Sequence, residues 1–173
     1  LEKFGTLDVN LMYIGAKNNV FNSHVEFFSK MKKGTLYGLT PLVNETACGP
    51  DFYEEAKKSG HYIELDPAMS MEEAKEYANK MDVLYTDTWV DMEFFNNPAY
   101  QKQKEETLAK MMPYQLNGDF TKDSKAIVFH DMPMHVGFEI SQDVVDKNLD
   151  HILDEAENRR HAEKAVMYTL LNS

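Results

Sequence analysis

Two polar residues, His130 and Asp131, follow directly on a short apolar run at residues 126–129. Four to eight apolar residues bounded by chain breakers are typical of a buried strand, and Pro133 supplies the breaker here. In an open α/β sheet, ligands bind beyond the carboxyl ends of the strands. The pattern therefore predicts that His130 and Asp131 lie where such a sheet carries out its chemistry. A strand that ends in a plain polar turn explains the same residues.

Polar side chains also follow two other predicted strands. Asn18 and Asn19 come after the apolar stretch at residues 8–15, and Asp87 comes after four mostly apolar residues. If the sheet is doubly wound, the first and fourth strands are neighbours at the point where the strand order reverses. We therefore expect Asn19, Asp87 and Asp131 to converge on one crevice. An amide there offers both a donor and an acceptor to a zwitterionic ligand, although helix capping alone also explains the two asparagines.

The residues after Asp87 favour a pocket over a simple cap. Trp89 and Met92 would place apolar walls around its carboxylate. Farther along, Arg159 and Arg160 follow an acidic segment that we predict to open the last helix. One guanidinium there suits a bound anion, because its fork of donors matches a carboxylate or phosphate. The alternative is a pair of surface ion pairs with neighbouring glutamates.

The elements that position these residues alternate along the chain. Apolar runs predict strands at residues 8–15, 35–41, 61–66, 83–88 and around 126–129. Helical spacing predicts helices at residues 20–31, 52–58, 70–81, 98–111, 139–147 and 155–171. Strands that alternate with helices form βαβ units with right-handed crossovers. The sequence therefore predicts an α/β protein with three αβα layers around a doubly wound, Rossmann-like parallel sheet of about five strands. Without a Pro- or Gly-rich linker, residues 1–173 are expected to form one domain.

Composition excludes several function classes. The formal net charge is −11, which argues against a nucleic-acid partner, because nucleic acid requires clustered Lys and Arg. The single cysteine excludes an internal disulfide, and no Cys/His spacing suggests a metal site. No apolar run reaches membrane-span length, and the first residues lack a signal-peptide pattern, so we expect a cytoplasmic protein. The segment that begins at Gly15 lacks the second and third glycines of the dinucleotide-binding motif, so we predict no bound cofactor.

Taken in order, four motifs resemble one family, the aspartate/ornithine carbamoyltransferases. The resemblance is to the second, amino-acid-binding domain and is closer to the ornithine branch. It extends over nearly the whole chain, and the ordered set is more specific than any one motif. The motifs are Gly15-x-x-Asn18-Asn19, Tyr85-Thr86-Asp87-Thr88-Trp89-Val90-Asp91-Met92, His130-Asp131-Met132-Pro133 and Asp154-Glu155-Ala156-Glu157-Asn158-Arg159.

The resemblance implies an activity and its partners. In this family a primary amine attacks carbamoyl phosphate and gives a carbamoylated amine and phosphate; with ornithine the product is citrulline. A first domain binds carbamoyl phosphate through a Ser-Thr-Arg-Thr motif, the second binds the amine, and the subunits form trimers. A chain of 173 residues without that motif is about half a subunit. By itself it is expected to be inactive.

The resemblance also implies residue roles. Asn19 and Asp87 would hold the α-amino acid end of the acceptor, with backbone contacts from Met92. Asp131 and Met132, preceded by His130, would lie at the reacting centre. Arg159 would lie on the carbamoyl phosphate side, where a cation stabilises charge that builds on the leaving phosphate.

Two substitutions depart from the family pattern. Asp131 stands where the family has a cysteine, and Asp91-Met92-Glu93 replaces the Ser-Met-Gly of the ornithine branch. A carboxylate at Asp91 would repel the acceptor's α-carboxylate unless it is solvated or paired. Ornithine remains the favoured acceptor, with a different amine such as putrescine as the alternative. An alternative from a different class is a catalytically silent, ligand-binding paralogue. A nucleotide-binding domain is a third interpretation, which the missing glycines disfavour.

Overall fold

The structure, a computed structural model, describes residues 3–90 and 92–172. Within them, one sheet has the strands β1 (Asn10–Lys17), β2 (Thr35–Val43), β3 (Tyr62–Glu64), β4 (Val83–Thr86) and β5 (Ile127–His130). The helices are α1 (Asn19–Met31), α2 (Pro50–Lys57), α3 (Met71–Ala78), α4 (Met92–Phe95), α5 (Gln101–Met111), α6 (Gly118–Thr121) and α7 (Gln142–Leu171). Short 3-10 turns at Pro98–Tyr100 and Met112–Tyr114 flank α5.

All strand pairs are parallel, and the order across the sheet is β3-β2-β1-β4-β5. The chain runs outward from β1 to β3 and then crosses back to β4, so the direction of winding reverses between β1 and β4. The predicted fold class, a doubly wound parallel sheet of about five strands, is confirmed. No helix in residues 3–90 and 92–172 has the length and apolar character of a membrane span.

The sheet separates two apolar clusters, which explains the continuous apolar runs of its strands. Successive side chains of a strand point to opposite faces. In β1, Leu11 and Tyr13 enter the cluster that packs under α1 and α2, whereas Met12 and Ile14 enter the cluster on the side of α3 and α7. A strand buried on both faces has no polar alternation, as β1 shows.

Two helix starts show how local sequence fixes the elements. The Asn18 side chain caps α1 by accepting a hydrogen bond from the Phe21 backbone N–H at 2.9 Å. Ser70 and Glu73 form a capping box at the start of α3, each satisfying the other's backbone N–H. Gly34, at φ +64, makes the tight turn between α1 and β2. A residue with a Cβ is strained in that conformation.

The outer edge of β5 is covered by side chains of α7. The backbone N–H of Val128 donates to Asn148 Oδ1 at 3.0 Å, and that of His130 donates to Glu155 Oε2 at 3.2 Å. Unpaired edge groups would otherwise offer a template for another strand. Helix α7 therefore closes this side of the sheet.

The predicted helices differ in detail from those of the structure. The helices predicted at 139–147 and 155–171 are one helix, α7, because no Gly or Pro interrupts residues 142–171 and Ile152 continues its buried side. The acidic segment before Arg159 therefore lies mid-helix and opens no helix. Two short helices, α4 and α6, lie where the sequence predicts no helix, and Asn117 is the N-cap of α6.

Candidate active site

The site begins where β1 and β4 end, at the reversal point of the sheet. The Asn18 side chain donates from Nδ2 to Asp87 Oδ2 at 2.7 Å while its Oδ1 caps α1. The Tyr13 hydroxyl lies 3.4 Å from the same Oδ1. Asn18 and Asp87 are 4% and 7% exposed, so this pair is fixed within the protein. One amide thus joins the helix start to the carboxylate that the sequence singled out.

The Asp87 carboxylate lies in an environment that resists its charge. Burial raises its pKa above the ordinary value, and the bond from Asn18 and the Thr88 backbone N–H at 2.6 Å partly offset this by favouring the ionised form. The nearby charge of Asp131 raises the pKa further. A positively charged partner beside Asp87 would therefore favour the ionised form of its carboxylate.

The end of β5 brings Asp131 to the same edge. Its backbone N–H donates to the Thr86 carbonyl at 3.3 Å, which continues the β4–β5 ladder, and its side chain is exposed. The charge of Asp131 acts on the pKa values of both Asp87 and Glu155. Asp131 therefore lies at the same carboxyl edge of the sheet as Asp87, since its backbone bonds to the residue that precedes Asp87. The convergence of Asn19, Asp87 and Asp131 on one crevice stays a prediction.

His130 is 1% exposed and bonded on both ring nitrogens. Its Nδ1 lies 2.7 Å from the Asp131 carbonyl oxygen, and its Nε2 lies 3.2 Å from Glu139 Oε1. The same Glu139 oxygen accepts the backbone N–H of His135. Both imidazole nitrogens thus bond to residues of the segment that follows β5. This geometry suits holding Asp131 in place better than contact with a ligand.

The other predicted residues lie in different surroundings. Asn19 is the first residue of α1 and is exposed; its backbone N–H donates to Thr46 Oγ1 at 3.3 Å, and its side-chain amide makes no hydrogen bond to any described residue. Met132 is 42% exposed. Met92 begins α4, and Asp91 lies outside the described residues.

Arg159 lies on the exposed second half of α7. Its side chain is 84% exposed, and its Nε bonds Glu163 Oε1 at 3.0 Å. Arg160 pairs with Glu157, as the surface interpretation of this segment predicts. Glu155, the other partner expected in that interpretation, is bonded to Tyr85 and His130 and to neither arginine.

The loops after β4 and β5 contact each other. The Phe95 ring of α4 stacks on the His135 ring with centroids 3.6 Å apart. Lys104 donates to the Phe95 carbonyl at 2.8 Å and lies over its ring. Beside this contact, a cavity of about 430 Å³ is lined by residues that include Asn44, Glu45, Trp89, Val90, Phe94 and Lys104. Trp89 is one of its walls, but Asp87 is not among its described lining residues, so the predicted pocket around the Asp87 carboxylate stays a prediction.

Sequence reasoning missed three residues that hold the site. The sequence presents Asn18 only as half of an Asn-Asn pair, and its bond to Asp87 depends on the meeting of β1 with β4. Glu155 belongs to a charged motif, a signal that could have marked it. Glu139, which is 1% exposed, has no sequence signal beyond an acid near an apolar residue. No group of His, Cys, Asp and Glu among the described residues is arranged to hold a metal ion.

Comparison with known sequences agrees on one family. The family model for the aspartate/ornithine carbamoyltransferase Asp/Orn-binding domain matches residues 7–170. The ornithine carbamoyltransferase of Chlorobaculum tepidum is 34% identical over 170 residues, with 95% of this chain and 46% of the relative covered. That of Pyrococcus horikoshii is 34% identical over 186 residues, with 98% and 51% covered. The chain spans about half the length of these relatives.

Solved structures give the same picture. The ornithine carbamoyltransferase of Pyrococcus furiosus superposes with a TM-score of 0.77 at 30% identity, over 96% of this chain and 51% of that one. The anabolic ornithine carbamoyltransferase of Campylobacter jejuni superposes with a TM-score of 0.79 at 23% identity, over 99% and 55%. The second likeness speaks for the fold alone.

Proposed function

The chain belongs to the aspartate/ornithine carbamoyltransferase family, and from this premise we propose that it is the acceptor-binding half of an ornithine-type carbamoyltransferase. The reaction joins carbamoyl phosphate and an amine, with ornithine favoured, to give citrulline and phosphate. The observation that carries the proposal is the bond from Asn18 to Asp87 across the reversal point between β1 and β4, with Asp131 at the end of the neighbouring strand β5. Two carboxylates there attract a cationic amine.

In this proposal each predicted residue has a position relative to the acceptor. Asp87 holds its α-amino group, and the exposed amide of Asn19 with backbone groups at Met92 holds its carboxylate. Asp131 and Met132 border the reacting amine. Asp91, beside Met92, is the remaining predicted contact of the acceptor.

Two predicted catalytic residues act differently in this arrangement. We assign His130 a positioning role, because both ring nitrogens are bonded within the loop after β5. Arg159 would exchange its surface bond to Glu163 for the leaving phosphate. Its exposure leaves the guanidinium accessible to a second domain.

The chemistry follows from charge. The acceptor amine arrives protonated and must lose one proton before its nitrogen can bond to the carbamoyl carbon. The bond from that carbon to the phosphate oxygen then breaks, phosphate leaves with the electron pair, and the nitrogen loses a second proton, which the leaving phosphate can take up. Nearby carboxylates favour the charged amine, so the proton must pass to a base as the nitrogen attacks. The exposed carboxylate of Asp131 is the group of this chain best placed for that transfer.

The proposed partner is a carbamoyl-phosphate-binding domain, since this chain covers only about half of its relatives. A homotrimer and a cytoplasmic location remain predictions from the family resemblance and from the sequence. The chain by itself is expected to form no citrulline, because half of the site is missing. Citrulline formation by the isolated chain would contradict the division of the active site between two domains.

A diamine is the second candidate acceptor, and Asp131 favours it. A dication such as putrescine can place one ammonium group at Asp131 and the other at Asp87 or Asp91. Ornithine carries an α-carboxylate that these acids would repel. The exposed carboxylate in place of the family's cysteine is the specific observation behind this candidate.

The test is phosphate release by the enzyme containing both halves, with ornithine and putrescine assayed side by side. Saturable turnover with ornithine supports the proposal as stated, and turnover with putrescine alone assigns the diamine. Binding without phosphate release from any amine would identify a silent paralogue instead. Asp131→Asn, which removes the charge and keeps the shape, is expected to lower kcat about 10²-fold or more, as loss of one electrostatic contact at a reacting centre does.

A further inference from the structure

Glu155 is a carboxylate at the centre of the site's scaffold, although neither of its oxygens faces a predicted ligand. Oε2 accepts the His130 backbone N–H at 3.2 Å, and Oε1 accepts the Tyr85 hydroxyl. Tyr85 is 5% exposed and lies in β4, whereas His130 ends β5. One side chain of α7 therefore fastens the ends of two neighbouring strands.

The position of each bond relates Glu155 to the acceptor crevice. Tyr85 lies two residues before Asp87, and His130 directly precedes Asp131. Arg159 lies four residues beyond Glu155, one turn along the same side of α7. The charge of Asp131 also raises the pKa of Glu155 beyond the effect of burial, which comes first. Glu155 is thus bonded to the two strands that lead to Asp87 and Asp131, and it lies one helical turn from Arg159.

A comparison within α7 separates this contact from ordinary edge covering. Asn148 makes the equivalent bond to the Val128 backbone N–H, two residues earlier in β5. Val128 belongs to the apolar cluster under α7 and lies farther from the strand end. Both bonds cover the edge of β5, but only the bond from Glu155 is made at the residue that carries the site loop.

We propose that Glu155 is a positioning residue of the acceptor site, a role that rests on the proposed function. It fixes the strand ends that carry Asp87 and Asp131, and it sets the rotation of α7 at the turn that carries Arg159. It acts through these residues and does not touch the substrate. Misplacement of reacting groups by about 1 Å lowers the rate about 10²-fold, so loss of this bond is expected to appear in catalysis.

The kinetic experiment uses the enzyme containing both halves and compares Glu155→Ala, Glu155→Gln and Asn148→Ala. Glutamine can restore both bonds, because its Oε1 accepts from His130 and its Nε2 donates to the Tyr85 oxygen. We expect Glu155→Ala to lower kcat/KM for the acceptor about 10- to 100-fold. Glu155→Gln and Asn148→Ala should each stay within about threefold of the parent. Glu157→Gln, an exposed change on the same helix, serves as the charge-matched control.

Three kinetic results would overturn the proposal. If Glu155→Ala matches the Glu157→Gln control, Glu155 does not position the site. If Asn148→Ala is as slow as Glu155→Ala, edge covering in general explains the loss. If Glu155→Gln is as slow as Glu155→Ala, the charge of Glu155 matters and its geometry does not.

Hydrogen exchange on this chain tests the contact without any activity assay. Glu155→Ala should speed exchange of the His130 amide at least tenfold and leave the Val128 amide unchanged, and Asn148→Ala should do the reverse. Unchanged exchange at His130 would refute the contact even if a variant were too unstable for kinetics. A parent enzyme that carbamoylates no amine would instead overturn the proposed function. The hydrogen-exchange result would still test the contact between Glu155 and His130.

Discussion

The bond between Asn18 and Asp87 gives the sharpest prediction, because one amide serves two purposes. In Asn18→Ala, α1 loses its cap, which stabilises by about 1 kcal/mol. The buried Asp87 carboxylate also loses a donor at 2.7 Å, and a hydrogen bond to a charged group contributes about 1.5–3 kcal/mol. We therefore expect the free energy of unfolding to fall by about 3 kcal/mol at pH 7.

The pH dependence of this loss follows from the direction of the Asp87 pKa. Burial raises that pKa in the folded state, so the stability linked to Asp87 is present at low pH and is lost as pH rises through the folded pKa. Asn18 opposes the shift, so Asn18→Ala raises the pKa further. The carboxylate part of the loss should therefore be full at neutral pH and vanish once Asp87 is protonated.

A second substitution separates the two contributions. Asn18→Asp keeps an excellent cap but replaces the donor with another carboxylate against Asp87. Two like charges about 4 Å apart repel by about 4 kcal/mol at an effective dielectric constant of 20, unless one binds a proton. We expect Asn18→Asp to be at least as destabilised as Asn18→Ala at pH 7 and to recover more stability as the pH falls.

The assay is urea unfolding followed by tryptophan fluorescence between pH 7 and pH 4. Trp89 is the only tryptophan of the sequence, is 2% exposed and lies two residues from Asp87. Asn19→Ala is the matched control, since its exposed amide should contribute within about 0.5 kcal/mol. A loss below about 0.5 kcal/mol for Asn18→Ala, or an equal loss for Asn19→Ala, would refute the reasoning.

Three further predictions concern the scaffold. Gly34→Ala should lower the unfolding free energy by more than about 1 kcal/mol in urea titrations, because a Cβ there would lie 2.0 Å from the Val9 carbonyl oxygen at φ +64; an unchanged midpoint would show that this turn can relax. Glu139→Ala should cost about 1–3 kcal/mol, by the same measurement, for each of the two groups that lose their partner, the buried His130 Nε2 and the His135 backbone N–H; a total loss below about 1 kcal/mol would contradict this prediction. The backbone amide hydrogens of residues 157–171 should exchange with solvent rapidly, as they do in fraying helix ends, while those in the first half of α7 stay protected. The reason is that only the first half has buried side chains. Equal protection along the helix would disprove this prediction.

Much of the fold can be predicted because its signals are local. The apolar runs of β1, β2 and β4 and the capping box before α3 depend on neighbours in sequence alone. The alternation of elements predicts the parallel sheet, whereas the strand order is assumed to be the one with the first and fourth strands as neighbours, which the structure has. Where local signals are weak, the prediction fails: polar residues near position 150 suggest a break in α7, and only the buried packing of Ile152 shows why the helix continues.

The sequence by itself determined which residue types reach the carboxyl edge of the sheet. Asp87 and Asp131 directly follow apolar strands, so the parallel direction of those strands places both residues at the same edge of the sheet. The four ordered motifs also identified the family without reference to packing. These conclusions depend on chain order alone, which the sequence encodes directly.

Only the tertiary structure decided how those residues are held. The bond from Asn18 to Asp87 spans 69 positions, and the bond from Glu155 to Tyr85 spans 70. No spacing rule connects residues so far apart, because their distance depends on how helices and strands pack. The same packing turned His130 into the loop and left Arg159 at the surface. Residue type sets what a group can do, and burial with its partners decides what it does here.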